Sequence, residues 1–271
     1  MQEETKNMGK RQRNRVLIAA VLAAVSLLLL CIDWRVMSRD DYAQIQRKKR
    51  LVWMTDESLW GFDAQRRDSM GFHYELIKAY ADSMGLELEV NIVNGRNEQL
   101  RALQRRKAHV LATDVVLTES VQNQFAPCQL PHSVKMCLLQ SRVSDSLIVE
   151  LSQLEGKRVL VPSDEAFMMR MNHLMEELEI EVEVVSHSGL SEEDVMEKVS
   201  RGEELYGLCL SRHAQQLETC YPDLDYTLSV GCEQPCGWVV NNHEEDLQQS
   251  LRRFLERFVQ TPAYRALCRK Y

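Results

Sequence analysis

The chain has 271 residues, with 33 Lys+Arg against 40 Asp+Glu for a formal net charge of −7, and it is 45% apolar and 27% charged. The apolar fraction excludes wholesale disorder, 11 Gly and 6 Pro exclude collagen-like and low-complexity chains, and the mild acidity argues against a general nucleic-acid binder. The charge is unevenly placed: residues 1–15 carry five basic and two acidic groups and residues 33–50 six and three, so these segments sum to +6 and residues 51–271 carry −13.

The first element is the 17-residue run 16–32, which holds no charge and lies between Arg15 and Asp33. It is at the short end of the roughly 17–25 residues that span a bilayer. Asp33-Trp34-Arg35 follow it without a small-x-small cleavage site, which favours a retained single-pass anchor over a cleaved signal. Lipidation at Cys31 is the other alternative, disfavoured by Leu30 before it. Five basic residues precede the run (Lys6, Lys10, Arg11, Arg13, Arg15), and only Arg35 and Arg39 follow closely. The positive-inside rule therefore leaves 1–15 as a cytoplasmic basic tail and puts 51–271 outside. Residues 33–50, with Arg47-Lys48-Lys49-Arg50, read as a juxtamembrane linker facing lipid headgroups.

From residue 51 strand and helix patterns alternate. Residues 51–54 read as a strand, 72–84 as a helix closed by Gly85, 86–93 as a half-buried strand, 97–107 as a helix and 109–117 as a buried strand. Residues 158–161, 165–177, 182–185, 192–201 and 206–210 repeat that order, which predicts parallel sheets covered by helices, formed twice. Two short strands at 227–230 and 237–240 follow, then an amphipathic helix over 244–258 and a last helix from Thr261-Pro262 to Tyr271.

Several short motifs lie in order on this framework: Leu51-Val52, Gly71-Phe72-His73-Tyr74-Glu75-Leu76, Leu117-Thr118-Glu119, Leu154-Glu155-Gly156-Lys157-Arg158-Val159, and Tyr264-Arg265-Ala266-Leu267 near the end. In this the chain resembles the family 3 extracellular solute-binding proteins, and among them the binding module that precedes the catalytic domain in enzymes of the membrane-bound lytic murein transglycosylase F type. The resemblance implies a two-lobed α/β fold of the periplasmic-binding-protein kind, with lobe 1 at 51–135 plus 238–271, lobe 2 at 140–233, and a hinge of two crossing strands near 135–139 and 235–239. It also implies a bacterial inner-membrane protein with 51–271 in the periplasm, a small-molecule ligand in the interlobe cleft, and a transporter, sensor or cell-wall enzyme as partner. The alternative is a degenerate binding module that regulates or scaffolds a cell-wall enzyme.

Amino-acid-binding members of that family hold the ligand carboxylate with an Arg shortly after the position of Thr118, and the ligand ammonium with an Asp near the position of Ser211. Here Thr118 is followed by Glu119-Ser120-Val121-Gln122, so both parts of that clamp are missing. The polar residues left at strand ends are Asp56, Trp60, Asp114, Thr118, Ser163, Asp164, Ser211 and Arg212, and these are the candidate ligand contacts. Trp60 would supply an apolar or cation–π face, Arg212 would replace the lost anion grip, and Asp56 and Asp114 would select an amine. A structural role competes in three places: Asp56 and Asp164 as turn or N-cap residues, Asp114 as a solvated strand end.

No Gly-x-Ser-x-Gly, His-Glu-x-x-His, P-loop or dinucleotide motif occurs, the lytic module has no counterpart before Tyr271, and neither enzymatic activity nor a cofactor is expected. Seven cysteines follow Cys31, an odd count. Cys128, Cys137, Cys232 and Cys236 lie near the crossings and are the candidates for disulfides in an oxidising compartment, with pairing open, whereas Cys209 reads as core. Cys209, His213 and Cys220 lack a fourth partner, so no metal site is expected.

Overall fold

A computed structural model describes residues 41–58, 62, 71–143 and 147–271. The expected anchor at 16–32, its basic tail and Trp60 lie outside the described residues, and among those described no helix is long and apolar enough to cross a membrane. The chain divides into two units, Met1–Gln44 and Ile45–Tyr271, of which the second holds both sheets. Part of the expected linker is helical, as α1 (Asp41–Lys48), with Ile45 1% exposed.

The first sheet has the order β2-β1-β3-β10-β4 and comprises β1 (Arg50–Thr55), β2 (Glu87–Ile92), β3 (Val110–Val116), β4 (Phe125–Val134) and β10 (Gln234–Asn241). Alternation along β1 sorts its side chains to two layers. Val52 and Met54 join Leu103, Leu111, Val115 and Val239 beneath α3 (Arg96–Gln104). Trp53 faces the other way, 5.7 Å from Tyr74 of α2 (Phe72–Ser83). On that side Tyr80 packs edge-on to Phe254 of α8 (Glu245–Phe258) at 5.4 Å and bonds Ser250 Oγ at 2.9 Å. The last helix, α9 (Pro262–Lys270), is capped by Thr261, whose Oγ1 accepts from Tyr264 N at 3.2 Å.

The second sheet has the order β7-β6-β8-β5-β9, from β5 (Met136–Ser141), β6 (Arg158–Leu160), β7 (Glu183–Val185), β8 (Tyr206–Leu210) and β9 (Leu224–Asp225). Its helices are α5 (Glu165–Leu178), α6 (Glu192–Ser200) and α7 (Ser211–Gln216). Helix α6 seats Val195, Met196 and Val199 against Leu139, Leu160 and Cys209. Gly207 permits that approach, because a Cβ there would lie 2.4 Å from Val195 Cγ1.

Three expectations change. The sheets are mixed, since β10 runs antiparallel to both β3 and β4, and β5 antiparallel to β8 and β9. Strand β4, absent from the sequence pattern, contains Pro127 and Pro131; it is an edge strand, where a missing N–H costs least. Residues 227–230 form a single bridge, Ser229 with Cys137, because the Ser229 hydroxyl donates to Gly231 O at 2.7 Å and takes the segment into a local turn. Only Lys135 separates β4 from β5, and the chain returns to the first sheet between Asp225 and Gln234.

The two lobes meet at the start of α3. Asn97 N donates to Ser163 O at 3.0 Å, Asn97 Oδ1 accepts from Glu165 N at 3.1 Å, and Glu98 accepts from Ser163 Oγ and Ser188 Oγ at 2.9 and 2.6 Å. Gly95 sits at φ +80°, and a Cβ on it would lie 2.8 Å from Gly189 Cα, so the lobes touch backbone to backbone. Gly95→Ala should therefore loosen this closed arrangement, with a loss of about 1–3 kcal/mol in denaturant unfolding and a larger radius of gyration in X-ray scattering. Unchanged scattering and stability would remove Gly95 as the latch.

Candidate functional site

Strand β3 is buried throughout, yet carries a carboxylate at Asp114, 2% exposed. A charge in that position persists only if it is surrounded by donors. Five side chains from both lobes supply them. His132 Nε2 on β4 lies 2.9 Å from Oδ1, His73 Nε2 at the start of α2 lies 3.4 Å away, and Cys236 Sγ on β10 lies 3.6 Å away. From α7 in the second lobe come His213 Nε2 at 3.4 Å and Arg212 Nε at 3.9 Å, both toward Oδ2. The Arg212 guanidinium also lies over the Phe72 ring, 4.7 Å from its centroid.

The surroundings set the protonation. Trp238 Nε1 donates to His73 Nδ1 at 3.2 Å, so a neutral His73 carries its proton on Nε2, facing Asp114. Burial lowers the pKa of His73 and outweighs the pull of Asp114, which keeps this imidazole neutral. His213 is equally buried, but Glu192 and Asp114 flank it, with Nδ1 3.0 Å from Glu192 Oε2, and they push its pKa up to about 9. Burial would raise the Asp114 carboxyl, yet the histidines around it hold it well below the usual carboxylate range.

A second buried charge lies beside the latch. Arg96, 8% exposed, donates from Nη1 to Gln99 Oε1 at 2.6 Å and from Nη2 to Thr113 Oγ1 at 2.8 Å, with Nε 3.8 Å from Asp164 Oδ2. Burial raises the Asp164 carboxyl in spite of Arg96. Arg96 was absent from the sequence candidates. Its signal was a cation in the first turn of a helix, where the dipole disfavours it and some other interaction must hold it.

Between the lobes lies a cavity of about 560 Å³, lined by Thr118 and Glu119 from the first lobe, by Met169, Arg170 and His173 on α5, and by residues 229–232 of the returning segment. Arg170 forms a bidentate pair with Glu177 at 2.9 and 2.8 Å and donates from Nε to Val230 O.

The sequence candidates are thus divided. Asp114 and Arg212 come together, facing each other across the lobe junction. Thr118 lines the cavity and caps α4 (Glu119–Gln124), its Oγ1 accepting from Val121 N at 3.2 Å. Asp164 is the N-cap of α5 and accepts from Ala166 N at 2.9 Å. Ser163 belongs to the latch, and Ser211 N donates to Lys135 O at 2.8 Å. Asp56 accepts from Ser58 Oγ at 2.7 Å, a local turn, and Asp114 is buried, not a solvated strand end. The seven described cysteines are thiols: Cys128 is buried, Cys232 is exposed, Cys236 reaches Asp114, and Cys137 Sγ lies 3.4 Å from Cys209 Sγ across β5 and β8.

These protonation states make stability depend on pH. The folded pKa of His213 is raised above its ordinary 6.5, so its stabilisation is complete below about 6.5 and is lost as pH rises through about 9. Asp114 has the opposite sign: its stabilisation is present above the ordinary carboxylate range and is lost in acid. Through His213, unfolding free energy should fall by at most about 3 kcal/mol between pH 6.5 and 9.5, and His213→Gln should flatten the limb below the ordinary thiol range, above which the thiols of Cys128, Cys209 and Cys236, raised by burial, add a fall of the same sign. Parallel pH profiles for the two proteins would refute the assignment.

Known proteins share this architecture. Membrane-bound lytic murein transglycosylase F of Desulfosudis oleivorans is 25% identical over 264 residues, covering 97% of this chain and 57% of that protein. The chain spans about half the length of the curated relatives it matches. A mutant of ArgBP from T. maritima superposes with a TM-score of 0.73 at 18% identity, covering 84% of this chain and 97% of its own. An ancestral arginine-binding protein bound to arginine gives 0.70 at 18% identity, covering 82% and 98%. At such identities these structures establish the two-lobed fold. The model of the bacterial extracellular solute-binding proteins, family 3, matches residues 51–271, both lobes in full, and the chain belongs to that family.

Proposed function

We propose that the protein is a membrane-anchored, extracytoplasmic solute-binding protein, held in the bacterial inner membrane by residues 16–32, that closes its two lobes on a small polar ligand for transport or sensing. The observation that carries this reading is the interlobe cavity of about 560 Å³. It falls within the roughly 300–1,000 Å³ of small-molecule sites, and both lobes contribute walls, so a ligand there has differential contacts with the closed state. The walls offer Glu119 at one side and, at the other, His173 and the Arg170–Glu177 ion pair. That pattern suits a ligand carrying both charge signs: an amino-acid derivative, a short peptide or a peptide-bearing cell-wall fragment. Of the contacts expected from sequence, Thr118 keeps its place in this reading.

One observation favours the second reading, a degenerate module that regulates or scaffolds a cell-wall enzyme. Arg212 and Asp114, which would otherwise grip opposite ends of a ligand, pair with each other. A cleft that satisfies its own charges loses less by remaining unliganded.

Thermal-shift screening of the detergent-solubilised full chain separates the two. Probes are arginine and other free amino acids, dipeptides and muropeptides. A ligand at a hundred times its Kd adds about 2.7 kcal/mol to unfolding, a clear rise in Tm, whereas a pure scaffold shows none. For any binder found, Arg170→Ala should weaken affinity at least tenfold, about 1.4 kcal/mol, by titration calorimetry. A binder indifferent to Arg170→Ala and Thr118→Ala would place the ligand outside this cavity.

A further inference from the structure

We propose that Asp114, His132 and Cys236 form a binding site for a divalent metal ion of the zinc class at the lobe junction. The inference stands apart from the cavity reading, because these residues lie on the first sheet and none of them lines the cavity. The three donors come from three strands of one sheet, β3, β4 and β10, and their ligand atoms all lie within 4.8 Å of one another. Paired strands fix the backbone, so only side-chain rotation is needed to gather them around an ion. Zinc bonds of about 2.0–2.3 Å arranged tetrahedrally separate ligand atoms by about 3.3–3.8 Å. Cys236 Sγ already stands 3.6 Å from Asp114 Oδ1, and His132 Nε2 stands 2.9 Å away, a hydrogen-bond distance that must open by less than about 1 Å.

The donor set selects the metal. One thiol, one imidazole and one carboxylate suit Zn²⁺ or Co²⁺, whereas Mg²⁺ and Ca²⁺ take oxygen ligands. The neighbouring histidines take different parts. His73 has its Nδ1 occupied by Trp238 and therefore supports the Asp114 carboxylate through Nε2–H, as an outer partner. His213 has Nδ1 on Glu192, which orients Nε2 toward Asp114 Oδ2 at 3.4 Å. It supports the second carboxylate oxygen from the opposite lobe and stands outside the group of three donors. Arg212 competes with the ion for the same carboxylate, but its side chain is 27% exposed and has a path to solvent.

The test uses the tag-free full chain in detergent, stripped with EDTA and reduced, and titrated with Co²⁺ alone and then with Zn²⁺ in competition. The expected result is one ion per chain, intense tetrahedral d–d bands, and a thiolate-to-cobalt charge-transfer band. Cys236→Ser should abolish the charge-transfer band, and His132→Ala should weaken binding at least tenfold. Arg212→Gln should tighten it. Cys220→Ser and Cys268→Ser, at exposed thiols, should change nothing. The Cys236→Ser protein must keep the parent's circular dichroism, and His132→Ala provides a second, sulfur-independent reading if it does not. Absence of stoichiometric binding overturns the proposal, as does a charge-transfer band that survives Cys236→Ser or is lost with Cys220→Ser or Cys268→Ser. No organic ligand is present in the titration, so its outcome is separate from that of the cavity screen.

Discussion

The Asp114 carboxylate is the constraint around which both lobes are arranged. Strand β3 is the middle strand of its sheet and is buried along its length. An unpaired carboxylate there would cost several kcal/mol. Its partners therefore had to be collected from wherever the fold could deliver them: the first turn of α2, strands β4 and β10, and the first turn of α7. Two of those deliver a donor only if the neighbouring structure is itself correct. His73 is oriented by Trp238 of β10, and His213 by Glu192 of α6, which also accepts the Leu210 N–H at 2.7 Å. The carboxylate thus ties the first sheet to both helices that precede and follow β8.

The lobe junction combines two kinds of contact with different physical character. Around Asn97, Glu98, Ser163 and Ser188 it consists of hydrogen bonds and a close backbone approach at Gly95 and Gly189, which are specific in geometry and respond to pH only in acid, where the Glu98 carboxylate is protonated. Around Asp114 it consists of buried charge, which is strong and sensitive to protonation. The first sets where the lobes meet, and the second sets how readily they part.

Much of the fold was legible in the sequence because period and punctuation agreed. Strands β1, β3, β6 and β8 are short apolar runs, α8 shows a clear apolar stripe, and Gly85 at φ +63° ends α2 as a glycine should. Legibility failed where local chemistry and tertiary role diverge. Pro127 and Pro131 break the strand pattern of β4, and only its edge position explains why they are tolerated. The site was harder to read. Asp114, Arg212 and Thr118 were found by their place at strand ends, but His73, His132 and His213 are single residues on separate elements, 59 and more positions apart, and no spacing rule links them. Asp114 reads in the chain either as an amine-selecting contact or as a solvated strand end, whereas its partners are side chains distant in sequence. Burial of a charge is a tertiary fact; in the chain it shows only as one acid inside an apolar run.

The pairing of Arg212 with Asp114 bears directly on how such a module would respond to a ligand. A ligand shifts an open–closed equilibrium only by its differential affinity for the two states. Where a protein's own side chains already bridge the lobes, the closed state needs less help and the available shift is smaller. Opening this molecule requires His213, flanked by Asp114 and Glu192, to part from the Asp114 carboxylate, which then faces water with the first-lobe histidines alone. A ligand acting through the cavity beside α5 therefore works against a junction that is held from within, and the energy of that junction sets how much of the binding energy appears as closure. Removing the internal hold at Arg212 leaves the cavity walls intact, so it separates the closing contribution of the ligand from that of the chain.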